Sequence, residues 1–226
     1  MPPVDKPTTE TRTGRPSGPA GGPDERREAI LAAACRAILG RGFHATRIAD
    51  IAQEAGTSSG TVHYYFETKD DVLTAALRWA NEQPYVRMDR LLGRDADEVT
   101  RLATLLELSV PYEGVPREEW IVFLELWGRL LHRPDLLPDG EDLESRWRGY
   151  FFDLVRSGTA RGVFHPPAGA DEAADRLVAM VDGLGLKAVL GLPAMPPARM
   201  REILFRFAAE QLAVPYAELD RRARGG

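Results

Sequence analysis

Apolar residues recur at a helical period along nearly the whole chain, and no stretch alternates as a strand would. Ala29, Ile30, Ala33, Ala34, Ala37 and Ile38 form the buried stripe of a first helix. Pro23-Asp24-Glu25 suits its start, and Gly40-Arg41-Gly42 ends it. Ile48, Ile51 and Ala52 give one apolar face to a short second helix, with Thr46 as its expected N-cap. Ala55-Gly56-Thr57-Ser58 interrupts the pattern, and Gly56 supplies the positive φ that turns the chain. A third short helix follows, capped by Ser58 or Ser59, with Val62 and Phe66 inside and Thr61, His63, Tyr64 and Tyr65 outside. Phe43 is expected to plug the small core between these three helices.

A fourth helix opens at Thr68, has Asp70 and Asp71 in its first turn, and buries Leu73, Ala76, Leu77 and Ala80. Pro84 is expected to stop or kink it, with 85–92 continuing beyond the kink and Gly93-Arg94-Asp95 forming a break. Further helices are predicted over 97–110, 117–131, 143–161, 171–191 and 197–212. The expectation is an all-α fold of about nine helices. It comprises a disordered tail over 1–22, a helix-turn-helix head over 23–67, a helical body over 68–214 and a C-terminal tail over 215–226 without core pattern.

The third helix carries the candidate chemistry. A helix that enters a major groove roughly 12 Å wide needs short or planar polar side chains on its outer face and N–H groups turned towards phosphate. Thr61, His63, Tyr64 and Tyr65 meet this requirement, and Arg47, Thr57, Ser58, Ser59, Gly60 and Lys69, at the helix starts and the turn, complete the set of candidate DNA-binding residues. From Asp24 to Leu77 the chain resembles the DNA-binding head of the TetR (tetracycline-repressor-like) transcriptional regulators. The carrying residues are Gly42-Phe43, Thr46, Ile51-Ala52, Ala55-Gly56, Gly60-Thr61, Tyr64-Tyr65-Phe66, Lys69 and Leu73. His63 departs from the family, which usually has tyrosine there. The resemblance implies sequence-specific binding to double-stranded operator DNA and a fourth helix that carries ligand signals between head and body.

Charge changes this picture only in part. The formal net charge is −5, and Asp24 to Glu82 holds seven basic and nine acidic side chains. Binding must then depend on local placement, with a modest salt slope. Arg12 and Arg15 of the N-terminal tail are candidates for a basic arm in a minor groove, the plainer reading being a solvated tail. The 17 prolines and 21 glycines sit within a globular composition of 44% hydrophobic residues. No apolar run is long enough to span a membrane, the N-terminus has no secretory pattern, and the single Cys35 suits a reducing cytoplasm. Cys35 reads as a small core residue.

The body also resembles the regulatory domain of the BetI-like branch of the same family. Glu118-Glu119-Trp120, Glu125-Leu126-Trp127, Pro134-Asp135-Leu136, Trp147, Arg161-Gly162-Val163-Phe164 and Asp182-Gly183-Leu184 carry that likeness. It implies that the final two helices pair with their copies in a homodimer, with Leu177, Val181, Leu184, Ala188, Met200, Ile203, Leu204 and Phe207 at the interface. Two heads would then read a near-palindrome on groove faces roughly 34 Å apart. Trp120, Phe123, Trp127, Trp147, Tyr150 and Phe151 are either plain core or the lining of a pocket for a largely apolar or cationic small molecule. Glu125 is expected to meet Arg129 in a solvated ion pair.

Enzyme chemistry finds no support. His44, His63, His132 and His165 lack metal-ligand spacing, no glycine-rich phosphate loop follows a strand, and no serine stands in a nucleophile elbow. Asp70-Asp71 and Asp139-Glu141-Asp142 are explained by helix starts and solvated loops. No metal or cofactor is predicted. Two readings result: a ligand-responsive dimeric regulator, most simply a repressor, and a helical small-molecule or protein-binding module whose head no longer binds DNA.

Overall fold

The computed structural model describes residues 22–91 and 96–224. The N-terminal segment up to residue 21 and the break at Gly93-Arg94-Asp95 lie outside the described residues. Within them the chain forms ten α-helices, one short 3-10 turn and no strand. They are α1 (Pro23–Arg41), α2 (Ile48–Glu54), α3 (Ser59–Tyr65), α4 (Lys69–Leu91), α5 (Glu98–Leu108), α6 (Val115–Leu130), α7 (Leu137–Ala160), α8 (Ala170–Val189), α9 (Pro197–Leu212) and α10 (Tyr216–Arg224), with the 3-10 turn at Pro134–Leu136. Among the described residues, no helix is long and apolar enough to cross a membrane.

The first three helices close on a small apolar core. Ile30, Leu31, Ala34, Ile38, Phe43, Ile51, Ala52, Val62 and Phe66 are all buried there. Gly42 ends α1 at φ +80° and donates its N–H to the Ile38 carbonyl at 2.7 Å. The expected N-cap of α2 shifts by one residue. Thr46 is fully buried and donates its hydroxyl to the Gly42 carbonyl at 2.8 Å, so it locks the preceding loop instead. Arg47 takes the cap position, where its N–H is accepted by Asp50 Oδ2 at 2.9 Å. Gly56 provides the positive φ (+62°) of the turn, and Ser58 caps α3 by accepting the Thr61 N–H at 3.1 Å. Cys35 is buried and donates its thiol to the Ala76 carbonyl, tying α1 to α4. Burial pushes that thiol up to about 12, with Arg36 acting weakly the other way, so it stays protonated and inert.

The body is a bundle in which α8 packs on α7 and α9, and α4 runs from the head into it beside α1 and α6. Helix α4 continues through Pro84 to Leu91, the second of the two outcomes expected at that proline. Two other sequence expectations change here. Helix α7 begins at Leu137, six residues earlier than its apolar period suggested, because Pro138 is tolerated in a first turn. The segment expected to be a C-terminal tail forms α10 instead. Its anchor is Leu219, fully buried, and Arg222 pairs with Asp97 at 2.8 Å while Asp220 pairs with Arg201 at 2.7 Å. One buried leucine in nine residues is too thin a pattern to read without the α5 and α9 surfaces that receive it.

Gly158 shows how closely the bundle is fitted. A Cβ there would lie 2.2 Å from the Phe164 ring, which is fully buried, and the Gly158 carbonyl accepts the N–H groups of Val163 and Phe164. Helix propensity alone would favour alanine by up to about 1 kcal/mol. Overpacking acts the other way and is larger, so Gly158→Ala is expected to lose about 1–3 kcal/mol in urea unfolding.

Candidate functional site

The outer surface of α3 is open. Ser59, Gly60 and His63 are exposed, and Tyr64 is 82% exposed with its ring edge-on to Tyr65 at 5.1 Å. Val62 and Phe66 point the other way and hold the helix to the head core. Ser58 and Arg47 are exposed, whereas Thr57, Thr61, Tyr65 and Lys69 are half-buried. Three of the predicted DNA-contact residues, Ser58, Thr61 and Lys69, also have structural work inside the chain. Thr61 Oγ1 pairs with Ser58 Oγ at 2.9 Å, and Lys69 Nζ donates to the His44 carbonyl at 2.7 Å, fastening the α1–α2 loop to the start of α4.

Behind the head, α6 makes the connection to the body. Arg129 donates to Asp70 at 2.8 Å, and its guanidinium carbon stands 3.8 Å over the centre of the Phe43 ring. Arg133 reaches the second Asp70 oxygen. Burial alone would push the Asp70 carboxyl up, but the hydrogen bonds and charges of Arg133 and Arg129 outweigh it, and the net shift is downward. Arg129 therefore does not serve the ion pair with Glu125 that its spacing suggested. The Asp70 carboxylate at the start of α4 is the partner it takes.

Further along α6, a cavity of about 100 Å³ opens between α4, α5, α6, α7 and α8. Its walls include Tyr85, Trp120, Phe123 and Trp147, with Asn81 and Ser109 as neutral polar groups. Of the six aromatic residues predicted for a pocket, Trp120, Phe123 and Trp147 line it. Phe151 is fully buried in the core and lies edge-on against Trp147. Tyr150 is one layer back, stacked on Tyr85 at 5.8 Å, and Trp127 is absent from the wall. The buried residues of α6 are Val122 and Leu126, neither of them among the predicted aromatics. A single apolar stripe cannot tell a helix face turned to the core from one turned to a cavity.

Sequence reasoning missed the charged groups of this cavity and the glycine that shapes it. Gly185 of α8 lies where a Cβ would come within 2.2 Å of the Trp120 indole, so the ring can rest on the helix backbone. The other edge of that indole donates to the Ser109 carbonyl at 3.0 Å. Asp182, one turn before Gly185, lines the cavity and is half-buried. Burial and the nearby Glu144 push its carboxyl up to about 6, with Trp147 acting the other way, and no Lys or Arg contributes. Across the cavity Arg87 and Glu119 form an ion pair at 2.6 Å.

The residues predicted for the dimer face divide between the core of the single chain and its surface. Leu177, Val181, Met200 and Leu204 are fully buried inside the single chain, and Leu184 and Ala188 are nearly so. Only Ile203 and Phe207 retain partial exposure. The outward side of α8 and α9 presents Ala179, Met180, Gly183, Lys187, Phe207 and Gln211 around a shallow groove that the predicted Leu184 also lines, and Leu186 and Leu190 are exposed nearby. Both helices carry apolar residues on two sides, and the periodicity did not say which side faces inward.

These features match known proteins along most of the chain. Residues 30–76 match the family model of bacterial regulatory proteins, tetR family, and residues 98–213 match that of the BetI-type transcriptional repressor, C-terminal. The chain belongs to the TetR family of transcriptional regulators. It is 30% identical to the HTH-type transcriptional regulator BetI of Escherichia coli O17:K52:H18, over 76% of this chain and 87% of that one. It is 29% identical to the HTH-type transcriptional regulator PksA of Bacillus subtilis (strain 168), over 81% of this chain and 88% of that one. A transcriptional regulator from Saccharomonospora viridis, solved in complex with choline, superposes with a TM-score of 0.77 at 38% identity, covering 84% of this chain and 98% of its own. As a TetR-family regulator the chain has a helix-turn-helix head and a BetI-type body, as the resemblance implied.

The ionisation of Asp182 leads to a pH test. Its folded-state value of about 6 lies above the ordinary 3.8, so the stability that its neutral form gives is present in acid and lost as pH rises through 6. Asp182→Asn, which never ionises, is expected to melt above the wild type at pH 7. The gap should close towards pH 4, as followed by thermal unfolding in a pH series.

Proposed function

We propose that this TetR-family regulator is a dimeric repressor that leaves a near-palindromic operator when a compact organic cation fills the cavity beside α6. The observation that carries this reading is Asp182, a half-buried carboxylate without an ion-pair partner among the described residues, set among Trp120, Phe123, Trp147 and Tyr85. Aromatic faces and an unpaired carboxylate both attract a cation that has lost its water. The cavity of about 100 Å³ suits a molecule of a few heavy atoms, since a 150 Å³ apolar cavity holds benzene. The choline complex of the Saccharomonospora viridis relative supports the same ligand class.

On the DNA side, Ser59, Gly60, His63 and Tyr64 form the face offered to bases, while Ser58, Arg47 and the free valences of Lys69 serve the phosphates. Thr57, Thr61 and Tyr65 flank that face and set its shape. The dimer would form on the outward side of α8 and α9, through Met180, Leu186, Leu190, Ile203 and Phe207. A ligand shifts the operator equilibrium only by its difference in affinity for the two states. The α6 helix offers a route for that difference, because it lines the cavity and also holds Asp70 and Phe43.

The test is selection of an operator from a random duplex library, then titration with and without choline or tetramethylammonium under competitor DNA. The expected result is a saturable complex that the cation dissociates, less effectively as pH falls below about 6 and Asp182 becomes protonated. Tyr64→Ala should weaken operator binding at least tenfold, about 1.4 kcal/mol, with an unchanged melting temperature, because so exposed a ring leaves no hole. Wild-type operator affinity in Tyr64→Ala and in Lys69→Ala would refute this docking of α3.

A further inference from the structure

The cavity contains a cation of its own. Arg87 comes from α4, the helix that continues from the head, and Glu119 from α6; both line the cavity, and Arg87 Nη2 donates to Glu119 Oε2 at 2.6 Å. The pair is held by one contact only. A guanidinium engaged for good presents two parallel N–H groups to both carboxylate oxygens. Here Arg87 Nε is buried with no hydrogen-bond partner. Arg129 Nε is likewise unpartnered, but Arg129 also lies on the Phe43 ring and shares Asp70 with Arg133, whereas among the described residues Arg87 is held by Glu119 alone, so a different cation can replace it there. Its two side chains are 29% and 18% exposed, so solvent screens the attraction incompletely and its loss would be felt by both helices. The charges of the wall also leave room for one more cation: Asp182 and Glu119 are opposed by Arg87 alone.

We propose that Arg87 is a resident competitor for the effector's positive charge, and that the effector acts by displacing it from Glu119. This rests on the cation reading of the same cavity and adds the step that turns occupancy into a signal. With the cavity empty, the Arg87–Glu119 pair ties the far end of α4 to the start of α6, while Asp70–Arg129 ties the start of α4 to the end of α6. A cation seated between Asp182 and Glu119 takes over the Glu119 carboxylate and releases the first tie. α4 then keeps its ion pair with α6 only at the head end, so its far end can shift against α6, which changes the spacing of the two heads in a dimer. Arg87 is thus a positioning residue whose removal imitates the ligand.

The test uses the full-length protein, tetramethylammonium and choline as probes, and Arg87→Met and Arg87→Lys as variants, with calorimetry for cation binding and the selected operator for DNA binding. Arg87→Met is expected to bind the cation at least fivefold more tightly and to bind operator at least fivefold more weakly without any cation. The cation should then have little further effect on its operator affinity. Arg87→Lys, which keeps the charge, should restore most of both properties. A merely damaged fold would weaken cation binding, not strengthen it. If Arg87→Met binds the cation more tightly but keeps wild-type operator affinity and response, Arg87 only repels the ligand, and the displacement step is overturned. Unchanged or weaker cation binding overturns it too. If the wild-type dimer binds neither probe, the cation reading fails and takes this inference with it.

Discussion

The contact that fixes the architecture is the Arg129 guanidinium, held between the Asp70 carboxylate and the face of Phe43. It is only 12% exposed, so it has been withdrawn from most of its water. The gross attraction of such a pair is about 4 kcal/mol at an effective dielectric of 20, and desolvation removes much of it. Its importance is therefore geometric. Phe43 belongs to the core of the head, Asp70 starts the helix that enters the body, and Arg129 ends the helix that lines the cavity. Through Lys69, next to Asp70, the same point holds the loop between α1 and α2 by the His44 carbonyl. Head orientation and cavity shape are thus set on one helix, α6, within three turns of each other.

The cavity shows stability given up for chemistry. A buried carboxylate without a partner destabilises the folded chain at neutral pH, and core residues of the same volume would do better. Gly185 sits in mid-helix, where it costs about 1 kcal/mol relative to alanine, yet its missing side chain is what lets the Trp120 ring lie against α8. Local rules of helix stability are broken at these two residues of α8, one turn apart, and both breaks open on the same small space. Departures of this kind are expected where a site, and not the fold, has set the residue.

The head presents a related balance. Its net charge is unfavourable for DNA as a whole, yet the acids nearest α3 and the start of α4 include four that are engaged: Asp50 caps α2, Asp71 caps the start of α4 through the Thr68 N–H, Asp70 is shared by Arg129 and Arg133, and Glu54 pairs with Arg36. What remains at the outer face of α3 is neutral and polar. A modest charge contribution to DNA affinity then leaves a larger share to contacts that discriminate between sequences.

The sequence by itself determined the all-α class, the three helices of the head, the turn at Gly56, the burial of Phe43 and Cys35, and the exposure of Tyr64. These follow from local periodicity and from turn and cap chemistry, which act over a few residues and are written in order along the chain. The tertiary structure decided the rest. Met200, Leu204, Leu177 and Val181 are core of the single chain because α7, α8 and α9 meet on that side, which no single helix records. Phe151 and Trp147 lie four residues apart on one stripe, yet one is core and the other lines the cavity. Arg129 takes Asp70, 59 residues away, over the near neighbour Glu125. Leu219 makes a helix of a segment that looked like a tail. In each case the deciding partner comes from a distant part of the chain, and residue spacing carries only the near ones.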